Sequence, residues 1–125
     1  MGYEFDSNIP IYLQLRHYFR MQIVSGQLAP GERMPPVREI AVQYGINPNT
    51  VQRALTELEE DGLAYSQRTA GRFITENRDR IAQMRQILAK ETVDTFIKDI
   101  RPFGFSLDDI IDVMKSQWSD DNASS

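Results

Sequence analysis

From Pro10 to Ser25 the apolar side chains Tyr12, Leu15, Phe19 and Ile23 recur at a spacing near that of a helical turn, which predicts a helix with one buried stripe that stops at Gly26. The stretch LAPGERMPP then holds three prolines and a glycine in nine residues, so a loop follows, with a short extended piece at Glu32 to Met34. Val37, Ile40, Ala41 and Tyr44 fall at i, i+3, i+4 and i+7 and predict a short helix ended by Gly45. A second helix begins at Asn47. Its side-chain oxygen suits an N-cap, and Pro48 is tolerated in the first turn, where no intrahelical N–H is needed. Val51, Ala54, Leu55 and Leu58 form its apolar stripe; Asn49, Gln52, Arg53 and Thr56 fall together on the other side.

After Gly62, LAYSQ and GRFIT read as two short strands joined by RTA, a β-hairpin packing through Leu63, Tyr65, Phe73 and Ile74. From Arg78 to Arg101 a long helical pattern carries one stripe of Ile81, Met84 and Leu88, continued with a shift by Val93, Phe96, Ile97 and Ile100, until Pro102 and Gly104 end it. A last helix opens on Ser106, with Asp109 three residues on as a looser capping box, and places Leu107, Ile110, Ile111, Met114 and Trp118 on one face. The expected fold is mainly α with a small β wing. Residues 1–76 form a winged helix-turn-helix domain, and residues 77–125 form a C-terminal helical hairpin with a disordered polar tail at SDDNASS.

Two helices joined by a tight turn, the second polar on its outer face near its N-terminus, are the parts of a DNA-reading device. The start of such a helix offers unpaired N–H groups and a positive dipole end to phosphates, and short amides and hydroxyls reach base edges. Asn49, Gln52 and Arg53 are then candidates for base edges and Thr50 for a backbone phosphate. Charge complicates this picture. The chain carries 14 Lys and Arg against 18 Asp and Glu, a net charge of −4, which weighs against a nucleic-acid partner. The distribution is uneven: Arg33 to Arg53 holds three arginines and one acid, Glu39, whereas Thr56 to Gly62 holds Glu57, Glu59, Glu60 and Asp61 and no base. An acidic chain can thus present one non-acidic face. The competing reading is a winged helix whose polar face meets a partner protein.

Several spaced elements agree in order with one known family. PIYLQL, SGQLAPGERMPPVREIA, NTVQRALTELEEDGL and GRFIT, spanning about Pro10 to Thr75, resemble the bacterial GntR-type transcriptional regulators. The resemblance implies a winged-helix DNA-binding domain, usually dimeric on an imperfect palindrome and most often repressing transcription. It carries DNA contacts to Arg38, Asn47, Asn49, Thr50 and Gln52, and to the wing, where Arg68 and Arg72 would reach phosphates or the minor groove. Three departures stand out. Pro48 replaces a basic or small polar residue, Pro36 replaces the serine that usually caps the first motif helix, and Thr69 replaces the first glycine of the wing tip while Gly71 stays.

The 49 residues from 77 onward are too few for the large effector domains of the family and look like its short YtrA-type variant, whose C-terminal helices dimerise. Physical reasoning agrees, since two amphipathic helices cannot bury both apolar stripes alone. The expected dimer residues are Ile81, Met84, Leu88, Phe96, Ile100, Ile110, Met114 and Trp118. The expected partners are double-stranded DNA and a second copy of the chain, with room for an unidentified small-molecule effector.

Catalytic chemistry finds no foothold. The sequence has no Cys, one His (His17), no glycine-rich phosphate loop and no metal-ligand spacing, so no catalytic, cofactor or metal-ligating residues are assigned. Asp108, Asp109 and Asp112 read as ordinary dipole complements in the first turns of a helix. No run approaches a membrane span and the N-terminus lacks a signal-peptide pattern, so a cytoplasmic protein is expected.

Overall fold

The computed structural model describes residues 4–124, with side chains to residue 120. Its elements are α1 (Ile11–Val24), α2 (Val37–Tyr44), α3 (Pro48–Glu60), β1 (Ala64–Gln67), β2 (Gly71–Ile74), α4 (Arg78–Ile100), a single 3₁₀ turn (Arg101–Phe103) and α5 (Leu107–Ser124). Gly45 ends α2 in the left-handed region (φ +67), where only glycine is unstrained, and turns the chain sharply into α3.

The chain divides into two compact units, one ending at Ile87 and the other beginning at Leu88. The core of the first is built where α1 crosses α3. Leu15, Phe19 and Ile23 meet Val51, Leu55 and Leu58, and Ile40 and Ala41 of α2 close the same core. Leu63 and Ile74, fully buried at the base of the hairpin, seal its wing side. Tyr65 and Phe73 are cross-strand partners whose rings stack with centroids 5.8 Å apart. The extended piece expected near Glu32 forms a third edge: Met34 N–H donates to Arg72 O (2.8 Å), Ile74 N–H donates to Glu32 O (2.8 Å), and Arg33 bridges to Phe73. The loop between α1 and α2 is thereby fastened to the wing.

The boundary between the two compact units falls inside α4, whose first turns pack with the winged unit. Arg80 Nε donates to Asp61 O (2.6 Å), and Ile81 and Met84 are 9% and 3% exposed in the single chain. Those two side chains, and Leu88 as well, are buried in the single chain. The helix α5 runs to Ser124, through most of the polar segment SDDNASS, whose last residue lies outside the described ones. Once a helix is nucleated, each added residue gains a hydrogen bond, and the polar composition does not forbid it.

The second unit has almost no interior of its own. Ser106 and Asp109 cap α5 reciprocally, Asp109 N–H donating to Ser106 Oγ (3.2 Å) and Ser106 N–H to Asp109 Oδ2 (3.4 Å). Beyond Leu88, Ile110 is buried, Ile100 and Ile111 are half-buried, and Phe96, Phe105, Leu107, Met114 and Trp118 are exposed.

Candidate nucleic-acid interface

The start of α3 is built by its own sequence. Asn47 Oδ1 accepts the N–H of Asn49 (2.8 Å), and Pro48 occupies the first helical position, where its missing donor costs nothing. Val51, Ala54, Leu55 and Leu58 are fully buried, which fixes the rotation of the helix. Asn49 and Gln52 are therefore exposed, with Thr50 half-buried beside them, and Gln52 Nε2 donates to Thr56 Oγ1 (3.1 Å) one turn on.

The start of α2 adjoins it. Pro36 has extended backbone and no side chain to cap the helix, so the first N–H groups of α2 lack a side-chain acceptor. Arg38 is exposed in that first turn and lines one surface hollow with Pro36, Val37, Glu39 and Pro48. A second hollow runs from Pro36 past Arg33 to Ser66, Gln67 and Thr69 at the wing. The wing, the start of α2 and the start of α3 thus border two hollows that share Pro36. Together these combine an arginine with uncapped or amide-rich helix starts, the chemistry that suits a polyanion.

Two of the expected DNA-contacting arginines are engaged elsewhere. Arg72 Nε donates to Glu59 Oε2 (2.6 Å), and its side chain is only 15% exposed. Its place in β2 points it back at α3, opposite Ser66 in the ladder. Arg53 lies with its guanidinium carbon 3.6 Å from the centroid of the Tyr12 ring, donates to Tyr12 Oη (2.9 Å) and faces Glu57 at 3.6 Å. It belongs to the contact between α3 and α1, because the turn that carries it passes over the start of α1. Tyr12, expected in the buried stripe, is half-exposed for the same reason. Arg68, by contrast, is exposed at the wing tip.

The acidic run that counted against a polyanionic partner is largely neutralised from within. Glu57 pairs with Arg16, Glu59 with Arg72, and Asp61 Oδ2 accepts from both Nε (2.9 Å) and Nη2 (2.6 Å) of Arg20. Three of the four acids of that stretch are thus counter-charges that strap α1 and the wing to α3, and Glu60 alone among them is exposed. The sequence shows the acids and the bases, but not that partners 41 residues apart meet.

At the wing tip the register Gln67↔Gly71 leaves Arg68, Thr69 and Ala70 as the turn, with Ala70 N–H donating to Gln67 O (3.1 Å). Thr69 has φ +66, a left-handed conformation unusual for a β-branched residue. The threonine that replaces a family glycine therefore stands where glycine would be unstrained.

Comparison with known proteins places this geometry. Residues 11–74 match the model for bacterial regulatory proteins of the gntR family. The chain is 33% identical to the uncharacterized HTH-type transcriptional regulator YhcF of Bacillus subtilis, over 93% of its own length and 96% of the relative's. It is 31% identical to the HTH-type transcriptional repressor YtrA of the same organism, over 91% and 88%. A solved GntR family transcriptional regulator from Listeria monocytogenes superposes with a TM-score of 0.83 at 38% identity, covering 90% of this chain and 98% of that one. The likeness to these relatives runs through the C-terminal helices as well as the winged unit, and the chain belongs to the GntR family of bacterial regulatory proteins, DNA-binding transcriptional regulators built on a winged helix-turn-helix.

Proposed function

We propose that the protein is a sequence-specific transcriptional repressor, without enzymatic activity, that acts in the cytoplasm as a homodimer on a palindromic operator. The observation that carries the reading is the pair of hollows that share Pro36. The starts of α2 and α3 meet in one hollow at Arg38 and Pro48, a second hollow runs from Pro36 to the wing, and Asn49, Gln52 and Arg68 are exposed on the elements that border them. Asn49 and Gln52 read base edges; Asn47, Thr50, Arg38 and Arg68 hold the backbone. The acidic balance does not oppose this role, because most of the acid next to α3 is consumed by internal ion pairs.

The homodimer is supported by the second unit, where a groove of about 480 Å³ is lined by Val93, Phe96, Ile100, Phe105, Leu107 and Met114, and where Trp118 is exposed. A free two-helix unit with so much apolar surface is poorly stable in water, and a second copy supplies the missing layer. Functionally, residues 1–76 read DNA and residues 77–125 pair the chains, with the stretch up to Ile87 packed on the winged unit. Among the described residues no helix is long and apolar enough to cross a membrane.

Selection of bound sites from random DNA duplexes tests the proposal. Two inverted half-sites spaced by about one helical turn or a multiple of it are expected. Recovery of no common sequence at moderate salt would sink the reading and favour a protein partner.

A further inference from the structure

Arg33 lies in the edge piece before α2, outside the helix-turn-helix and outside the hairpin. Its Nε–H donates to Ala70 O at the wing tip (3.0 Å). The guanidinium also lies flat across Gly71: a Cβ built there would come within 2.9 Å of Nε and 3.2 Å of Nη2. The φ of +116 favours glycine at 71, and a side chain there would also displace the Arg33 guanidinium from its present position. One of the five N–H donors of the guanidinium is used. The other four, on Nη1 and Nη2, have no acceptor among the described residues, and no carboxylate there pairs with Arg33. Arg33 is exposed and borders the hollow that leads through Pro36 to Arg38.

We propose that Arg33 is a DNA-backbone contact: pinned to the wing by Ala70, it presents its Nη fork to one phosphate flanking the half-site and supplies the charge that Arg72 gives up to Glu59. The inference rests on the operator reading above. A fork of parallel N–H donors suits phosphate oxygens, and a phosphate contact fixes position without selecting sequence, which separates it from a guanine edge in the test below. The Ala70 hydrogen bond pre-orients the fork, so little side-chain freedom is lost on binding.

The test uses the full chain and the duplex recovered by selection. Arg33→Ala is expected to weaken binding about 5- to 10-fold, to leave the selected sequence unchanged, and to lower the slope of log affinity against log salt by about one. Arg33→Lys keeps the charge and should restore most of that slope. A methylphosphonate scan of the flank completes the cycle: one neutralised phosphate should weaken the wild type, and weaken Arg33→Ala hardly further. Three results would overturn the proposal. Arg33→Ala could bind within twofold with an unchanged slope, the losses could add at every flank phosphate, or Arg33→Lys could lose as much of the salt slope as Arg33→Ala, which would make Arg33 only a brace for the wing. If the wild type selects no duplex at all, the operator reading itself fails, and this contact with it.

Discussion

Glu59 Oε2 accepts from Arg72 Nε (2.6 Å) and from Ser66 Oγ (2.9 Å), so a single carboxylate oxygen on α3 holds both strands of the wing through side chains that face each other in the ladder. The wing is thereby tied to α3, and the Arg72 guanidinium is held against that helix. Glu59→Gln should separate these effects. Loss of a partly buried, charge-assisted contact is expected to cost about 1 kcal/mol in urea unfolding. Release of Arg72 should steepen the salt dependence of DNA binding by about one phosphate. An unchanged slope would mean that Arg72 stays folded against α3 even without its counter-charge.

Thr69 is the strained point of the hairpin. For an L-residue the left-handed region costs about 1–2 kcal/mol, and a β-branched side chain has no local hydrogen bond of the Asn or Asp kind to offset it. Thr69→Gly should therefore raise stability, by about 1 kcal/mol once the extra freedom of glycine in the unfolded chain is subtracted. Thermal unfolding checks this, and a fall in melting temperature would show that the Thr69 side chain makes a compensating contact.

The order of elements was legible in the sequence because each helix end carries its own signal. Asn47 with Pro48, Gly45, and Ser106 with Asp109 act locally, and the structure uses each at the predicted place. Side-chain destinations were not legible in the same way. Arg53 falls on the polar side of α3 by periodicity, yet Tyr12 on α1 captures it. Arg72 follows the wing tip in sequence, yet β alternation turns it toward Glu59. The stripe of α4 reads as one apolar face, but Ile81 and Met84 are spent inside the winged unit, and the helical period does not say against which neighbour a face is buried. Local chemistry fixes ends and faces; contacts 13 to 41 residues apart decide which polar groups remain for function.

Tyr44 gives a pH handle on the joint between α1 and α2. Its hydroxyl donates to Tyr18 Oη (3.2 Å), and burial, then the hydrogen bond and the charge of Tyr18, push its pKa up to about 12 from the usual 10. Below pH 10 the group is neutral in both states and its contribution is fully present. Between about pH 10 and 12 the unfolded chain releases the proton first, so stability falls as pH rises through that window. Tyr44→Phe should flatten the alkaline decline relative to wild type while costing little near neutrality. Unfolding midpoints measured across the window decide it; parallel curves for the two proteins would exclude Tyr44 as the titrating group.

The division of the apolar residues of α4 and α5 makes the dimer testable without disturbing the winged unit. Ile81 and Met84 are buried in the single chain, whereas Trp118 is 73% exposed and Phe105 54%. Ile81→Ala should lower unfolding stability by about 2–5 kcal/mol through the cavity it leaves, with little change in self-association. Trp118→Ala should do the reverse. A buried aromatic anchor at an interface is worth about 2 kcal/mol or more, so its loss should raise the dimer dissociation constant about 30-fold at nearly constant subunit stability. Sedimentation over a concentration series reads this directly. Trp118 is the single tryptophan of the chain. Its emission should shift to shorter wavelength as the wild type is concentrated and water leaves the ring. A fixed emission maximum with a mass near one chain at micromolar concentration would remove the homodimer from the account, and with it the expectation of a palindromic operator, since one winged unit has no symmetry to match two half-sites.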